Sequence, residues 1–265
     1  MLGALRSLLG WEFRNLLRFP MLELLFAIAV YMGMLTGEWG CGSGVAGARS
    51  WSIIPPYIAS HIGRHSLDYA VDLYVPMMLA TIVFASVGIA REVEAGFVKV
   101  ALSNPIRRRD LFLVKFAGNF LITLVIFAVV TYLAVFLQNW TAALYLLSFP
   151  AAILRVLGLL ALQTFFVVAV TTAVAFFSRN TAVSFLGSIG TLYLPVYMGQ
   201  VARVKIPFIP PESTCLFISY LRSPNWFLEQ YGLAIFLEAT LVPVLIAAIL
   251  LFLSFVYFTR RYDVS

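Results

Sequence analysis

Charged side chains between residues 91 and 115 carry the strongest chemical signal in this sequence. Only 11% of all residues are charged, so a cluster of them between two long apolar runs points to a binding function. Val93 and Phe97 lie four residues apart and begin the apolar face of a helix predicted over residues 92–102. Pro105 follows that helix, because proline disfavours the helical conformation at the preceding residue. A short helix that exposes an aromatic ring is suited to dock into a groove on a partner protein.

The basic second half of this stretch has a simpler interpretation. The three consecutive arginines at 107–109 would anchor at anionic lipid headgroups, as basic clusters do beside many membrane spans. They do not account for the acidic start of the stretch or for a phenylalanine next to a glycine. The docking hypothesis therefore depends on Glu94, Gly96, Phe97 and Pro105.

Other groupings of reactive residues are weaker. His61, His65, Asp68 and Asp72 have the spacing of one helical face, but four donors on one helix rarely converge on a single ion, so no metal site is predicted. The sequence has no Gly-x-x-x-x-Gly-Lys-Ser/Thr motif, and therefore no phosphate-binding loop for ATP. We expect neither an enzyme activity nor a cofactor in this chain.

The elements that position these residues are membrane spans. The chain has 265 residues, of which 62% are hydrophobic, and a mean hydropathy of +0.96, whereas soluble domains are about half apolar. Apolar runs of about 20 residues, enough to cross a hydrocarbon core of about 30 Å, recur along the sequence. We predict an all-α integral membrane protein, a single transmembrane domain over 1–265, with six spans at 20–37, 69–90, 111–137, 150–177, 181–201 and 233–258.

The loops between these spans predict how the chain lies in the plasma membrane. Six spans put both termini on one side, and most of the 18 Lys and Arg residues fall on that side, which predicts that it is the cytoplasm. The net charge of +6 therefore reflects loop topology and lipid contact, and does not indicate nucleic acid. Residues 1–19 alternate an apolar and a basic face, as in an interfacial helix. The cytoplasmic loop covers 91–110, and four prolines in the outer loop 202–232 predict short re-entrant helices before the sixth span.

Two further features of the spans and outer loops concern packing. Cys41 and Cys215 both fall in predicted outer loops, where an oxidising compartment permits a disulfide, although two unpaired thiols fit the sequence equally well. The fifth span carries small residues at helical spacing, and small residues let two helices approach closely in lipid. They serve either packing within one copy or contact between two copies. These residues are Ser184, Gly187, Ser188 and Thr191.

The charged stretch resembles the cytoplasmic loop of the ABC type-2 permease family, the membrane subunits of ATP-binding-cassette exporters. That loop reads approximately Glu-Arg-Glu-x-Gly-Thr, then an apolar helix, Pro-x-x-Arg and a lysine in the next span. Val93 and Phe97 depart from it, since they stand where Arg and Thr are usual. The overall layout of the spans also resembles the family. The matching residues are Glu94, Gly96, Pro105, Arg108 and Lys115.

This resemblance implies a function and its residues. It implies that 92–102 is a coupling helix inserted into a cleft of a separate ATPase subunit, which would bind ATP and Mg²⁺. It further implies an exporter that works as a dimer, with a second copy or a paralogue, joined through the first and fifth spans. The dimer contact would then use Ser184, Gly187, Ser188 and Thr191. The coupling residues would be Glu92, Glu94, Gly96, Phe97, Pro105 and Arg108.

Two other functional classes fit the sequence. An ion-coupled secondary transporter or channel would use Glu23, Asp72 and Glu238, which lie in or beside predicted spans, where ionisable residues are often functional. Solvation at an interface is the simpler interpretation of these three residues. A substrate-binding membrane subunit of a vitamin importer would also have about six spans.

Overall fold

The protein was analysed as a computed structural model that describes residues 74–96, 107–138, 150–202 and 224–261, together with Gly10, Arg14 and Leu216. These residues are helical apart from short turns, and the described ranges contain no strand. The helices are α1 (Tyr74–Ala85), a π-helical turn (Ser86–Ala90), α2 (Arg91–Glu94), α3 (Arg108–Gln138), α4 (Pro150–Ser178), α5 (Thr181–Ala202) and α6 (Pro224–Arg261).

The helices lie where the hydropathy of the sequence predicts apolar spans from the second to the sixth. Three of them are long and apolar enough to cross a membrane: Arg108–Leu133, Leu157–Ser178 and Leu228–Arg260. A shorter apolar helix covers Thr181–Pro195. An all-helical integral membrane protein is therefore confirmed, while the number of six spans stays a prediction.

Several predicted features fall outside the described residues. They are the first span at 20–37, both cysteines, Glu23, Asp72 and the four possible metal donors between His61 and Asp72. Of the predicted interfacial helix over 1–19, Gly10 and Arg14 are described, and both are helical and exposed.

Helix α4 is the centre of the described bundle. It packs against α1, α3, α5 and α6, and 78% of its most apolar stretch is buried, compared with 22% for α6. A helix that is apolar on every side must be surrounded by other helices or by lipid. In this fold α4 takes the inner position. Its Leu160 and Val167 lie in one apolar cluster with Met77, Ile82 and Phe84 of α1 and Phe127 of α3.

A second apolar cluster closes one end of the bundle. Phe112 of α3 stacks on Phe176 of α4 with ring centroids 4.9 Å apart, and Phe258 of α6 lies 4.8 Å from Phe176. Val93 of α2 is buried in the same cluster. This end, where α2, the start of α3, the α4–α5 turn and the end of α6 meet, is called the charged end below because Arg91, Glu94 and Arg179 surround it.

Helix α6 contains one break near its beginning. Gly232 has φ 77° and ψ 165°, a backbone conformation that is essentially restricted to glycine. Residues 224–231, which belong to the predicted outer loop 202–232, therefore form a separate short helix before the span. The long remainder of α6 starts after Gly232, at the residue where the hydropathy predicts the start of the sixth span.

Candidate functional site

The charged segment after the second span does not form one continuous helix. Helix α2 continues the π-helical turn and ends at Glu94, and Gly96 has a φ of +75°. Glycine adopts this left-handed conformation without steric penalty, so it stops the helix. The helix predicted over 92–102 is therefore interrupted at Gly96, and residues 97–102 lie outside the described part of the chain. Phe97 and Pro105 lie outside the described residues.

Helix α2 is attached to the rest of the bundle by its apolar residue. Val93 is 8% exposed and packs with Leu111, Phe112 and Phe258. In contrast to the buried Val93, the nearby residues Arg91, Glu94 and Ala95 are exposed. One side of the segment thus belongs to the protein core, and the other side is open to a partner.

Glu92 ties α2 to α3 through a buried ion pair. Its carboxylate lies 2.6 Å from the Lys115 ammonium, and the two side chains are 13% and 3% exposed. Lys115 Nζ also donates to the carbonyl oxygen of Gly88, at 3.1 Å. Gly88 belongs to the π-helical turn, a local widening that often marks functional sites. The lysine therefore fixes both the turn and the helix that follows it.

Glu94 ties the same segment to α5. Its Oε2 accepts hydrogen bonds from the Thr181 backbone N–H at 2.9 Å and the Thr181 hydroxyl at 2.7 Å. Its Oε1 accepts one from Asn180 Nδ2 at 3.2 Å. Asn180 in turn caps α5, since its Oδ1 accepts from the Val183 N–H at 3.1 Å. The carboxylate therefore lies at the N-terminus of a helix, where negative charge is stabilised.

This environment changes the acidity of Glu94. The hydroxyl and then the backbone N–H of Thr181 lower the pKa of the Glu94 carboxyl below its ordinary value, and slight desolvation opposes them. Hydrogen bonds donated to a carboxylate favour its charged form. The hydrogen bonds to the start of α5 therefore favour the ionised form of Glu94.

The two glutamates thus have partners within the chain that the sequence does not reveal. The resemblance to the permease loop implies that Glu92 and Glu94 contact a second protein, whereas both carboxylates here bind helices of the same chain. Asn180 and Thr181 were missed, although an Asn-Thr pair at the start of an apolar run is a recognisable helix cap. Arg108, at the start of α3, is partly buried.

An open groove of about 460 Å³ lies beside Glu94, between α1 with its π-helical turn and the start of α5. Its walls are mainly apolar, and the polar groups at its rim come from the Glu94 contact just described. The lining residues are Val83, Ser86, Val87, Glu94, Asn180, Thr181, Ala182 and Phe185.

The small residues of the fifth span face mainly into the same chain. Ser184 and Ser188 are fully buried, and the Ser86 hydroxyl donates to the Ser184 hydroxyl at 3.3 Å. A Cβ at Gly187 would lie 3.1 Å from a Val174 methyl carbon, so this glycine allows α4 and α5 to approach closely. Thr191 is exposed, and its hydroxyl donates to the Gly187 carbonyl oxygen at 2.8 Å.

The opposite face of α5 is exposed and largely apolar. It repeats at helical spacing, and it is called the outer stripe below. Its residues are Val183, Leu186, Gly190 and Leu194. Among the remaining candidates, Glu238 of α6 is half-buried, and the described part of the chain holds no cluster of three or more possible metal ligands.

Comparison with known proteins agrees with this arrangement. A family model described as ABC-2 family transporter protein matches residues 57–263. A search of curated proteins finds no significant match. The matched range includes every described helix from α1 to α6.

Proposed function

This chain belongs to the ABC-2 family of transporter proteins, and we propose that it is the permease subunit of an ATP-driven exporter that works as a dimer with separate ATPase subunits. Family membership makes it the membrane-spanning part of an ABC transporter. The export direction, the dimer and the coupling to ATPase subunits are the proposed parts. The observation that carries them is the segment Arg91–Gly96, which is exposed on one side and fastened to two helices on the other.

A segment that transmits movement must satisfy two requirements. It must be accessible to the motor, and it must be connected rigidly to the spans that have to move. Arg91, Glu94 and Ala95 are exposed, whereas Val93 is buried and Glu92 is paired with a buried lysine. Polar contacts to both α3 and α5 mean that a push on this segment would move two spans rather than bend a flexible loop.

The motor in this proposal is another polypeptide. The sequence has no phosphate-binding loop motif, and such a loop supplies the backbone N–H groups and the lysine that hold the phosphates of ATP. ATP and Mg²⁺ would bind to the ATPase subunits, and this chain would supply the route across the membrane. The residues after Gly96, including Phe97, would complete the docking surface.

The proposed dimer would use the outer stripe of α5 and the exposed Thr191. Ser184 and Ser188 are buried inside the chain. They would therefore support the interface indirectly, by allowing α5 to pack closely against α1 and α4. The outer stripe offers Gly190, whose Cβ position meets no atom within 4 Å. Small residues of this kind permit close helix contact in lipid.

Cysteine crosslinking tests the coupling. In a variant with Cys41 and Cys215 replaced by serine, Ala95→Cys puts a thiol on the exposed turn after α2. We expect a short crosslinker with one maleimide and one succinimidyl ester to join this thiol to a lysine amine of the ATPase subunit in purified complexes. Leu154→Cys is the matched control, since Leu154 is 67% exposed but lies near the other end of α4. Crosslinking at neither position, or equally at both, would contradict the proposed docking site.

A further inference from the structure

The turn between α4 and α5 also holds the end of the last helix. Arg179, in the middle of this turn, donates from Nη2 to the Tyr257 hydroxyl of α6 at 3.0 Å. Its guanidinium lies 5.5 Å from the centroid of the Tyr257 ring, within range of a cation–π interaction. Phe177, two residues before, packs on the same ring with a centroid distance of 5.1 Å. Tyr257 therefore contacts both the end of α4, through Phe177, and the turn, through Arg179.

The backbone of Arg179 has an unusual conformation. Its φ is 52°, in the left-handed region, and it is the only non-glycine residue of the described ranges with a positive φ. Glycine and asparagine fit this conformation better than arginine, whose Cβ crowds the backbone there. A residue held in a strained conformation points to a function for its side chain. Here the side chain reaches α6.

The turn is stiff as well as short. The Ser178 hydroxyl lies within hydrogen-bond distance of the carbonyl oxygens of Ala175 and Asn180, at 3.4 and 3.3 Å. The Asn180 carbonyl accepts the first backbone hydrogen bond of α5 from the Ser184 N–H at 2.9 Å. These bonds leave little freedom between Arg179, which binds α6, and Asn180, which binds Glu94.

We propose that the turn Ser178–Asn180 is a relay that joins the coupling segment to both α5 and α6. Glu94 accepts hydrogen bonds from Asn180 and Thr181, where the turn meets α5. Arg179, within the turn, donates a hydrogen bond to Tyr257 of α6. A displacement of α2 is then delivered to the start of α5 and the end of α6 together, so that the three move as one body. This inference rests on the proposed function, because it describes how movement of the coupling segment spreads. Arg179 is a positioning residue in it.

Distances between spin labels test the relay in the complete transporter with its ATPase subunits. Phe185 of α5, which lies outside the outer stripe, and Phe252 of α6 are 36% and 65% exposed. Cysteines there can carry nitroxide labels in one copy of each dimer once Cys41 and Cys215 are serine. When the relay is unaltered, we expect one narrow distribution of distances between the two labels. This distribution should be the same without nucleotide and with ATP, Mg²⁺ and vanadate. With Arg179→Asn, which suits the left-handed backbone, we expect a second distance to appear when nucleotide is trapped.

Controls separate the relay from general damage. Arg109→Asn makes the same substitution at an exposed arginine of the charged end that does not contact Tyr257, and it should keep the single distance. Tyr257→Phe removes only the hydrogen-bond acceptor and should broaden the distance less than Arg179→Asn does. Two results would overturn the relay. One is a label distance that changes on nucleotide trapping although the relay is intact. The other is a distance distribution in Arg179→Asn that cannot be distinguished from that in Arg109→Asn. Crosslinking of Ala95→Cys to the ATPase subunit would persist in either case, whereas its loss would refute the proposed function.

Discussion

Glu92 and Glu94 attach the short helix α2 to two different neighbouring helices. Residues two apart on an α-helix point about 200° away from each other, so their carboxylates reach opposite sides of α2. One meets Lys115 of α3 and the other meets Thr181 of α5. Val93, between them, faces the core. A Glu-x-Glu pattern on this short helix is therefore the spacing needed to fasten it between two spans.

The buried ion pair gives a prediction at the residue scale. Lys115→Met leaves the nearly buried Glu92 carboxylate without its cation and the Gly88 carbonyl without its donor. Removing one partner of a buried pair destabilises a protein by about 3 kcal/mol, and we expect a loss of that size in thermal denaturation of the detergent-purified chain. The double variant Glu92→Gln, Lys115→Met should recover part of it. A double variant as unstable as the sum of the two single variants would argue against the pair.

The pKa of Glu94 gives a prediction on pH. Because Thr181 lowers this pKa below the ordinary value of 4.5, the ionised carboxylate stabilises the folded state fully above that value. The stabilisation is lost as the pH falls through the lowered pKa. We expect the difference in melting temperature between the wild type and Glu94→Gln to be constant from pH 7 to pH 5 and to shrink below about pH 4.5. A difference that stays constant down to pH 3.5 would contradict this assignment.

At the scale of single elements, two glycines decide where helices end. Gly96 and Gly232 both have positive φ angles, and neither has an atom within 4 Å of the position of a Cβ. Space is therefore available at both sites, and backbone conformation alone requires glycine. Gly96 ends the helical segment that runs from α1 to α2, just after its two attachments. Gly232 separates the short helix over 224–231 from the long remainder of α6.

Gly232→Ala tests this requirement. At φ 77° and ψ 165° an alanine is strained by about 2 kcal/mol, so we expect a lower melting temperature. Gly158→Ala is the matched control, because Gly158 is an exposed helical position with the same free space. Alanine there should leave stability unchanged or raise it by about 0.5 kcal/mol. Equal effects of the two substitutions would show that Gly232 does not set the break.

At the scale of the whole molecule, one helix is inside and the others share the surface. Helix α4 packs against α1, α3, α5 and α6, while α3, α5 and α6 expose large apolar residues such as Val125, Leu186 and Phe252. Exposed apolar faces of this extent suit lipid or a second copy. The outer stripe of α5 differs from the other faces because it contains Gly190.

Crosslinking between copies tests the proposed dimer. In the variant with both cysteines replaced by serine, we expect Leu186→Cys on the outer stripe to form a covalent dimer with a short bifunctional maleimide in membranes. Ser188→Cys should not, because Ser188 is fully buried in its own chain. The reverse result, or no crosslink at either site, would contradict a dimer contact through the outer stripe.

Local properties of the sequence were enough to determine the class of protein and the positions of its helices. Membrane spans depend on hydropathy over about 20 consecutive residues, which is why the predicted ends at 177 and 181 agree closely with the helix ends in the structure. The predicted start at 233 directly follows the break at Gly232 within α6. The charged stretch at 91–115 was likewise recognisable from residue types and spacing, and Lys115 was recognisable as a match to the loop of the family that the stretch resembles. The ABC-2 family match over 57–263 confirms the resemblance drawn from them.

Only the tertiary structure decided which residues these features bind. Glu94 and Thr181 are 87 residues apart, and Arg179 and Tyr257 are 78 apart, so their pairing depends on how α4 places its neighbours. The stop at Gly96 depends on a backbone angle that the apolar pattern does not encode. The inward face of α5 was also ambiguous, because small residues suit contacts within one copy and between two copies alike. The physical reason is the same each time. Hydropathy and helix caps depend on residues that are close in the sequence, whereas ion pairs and packed faces form only when separate helices come together.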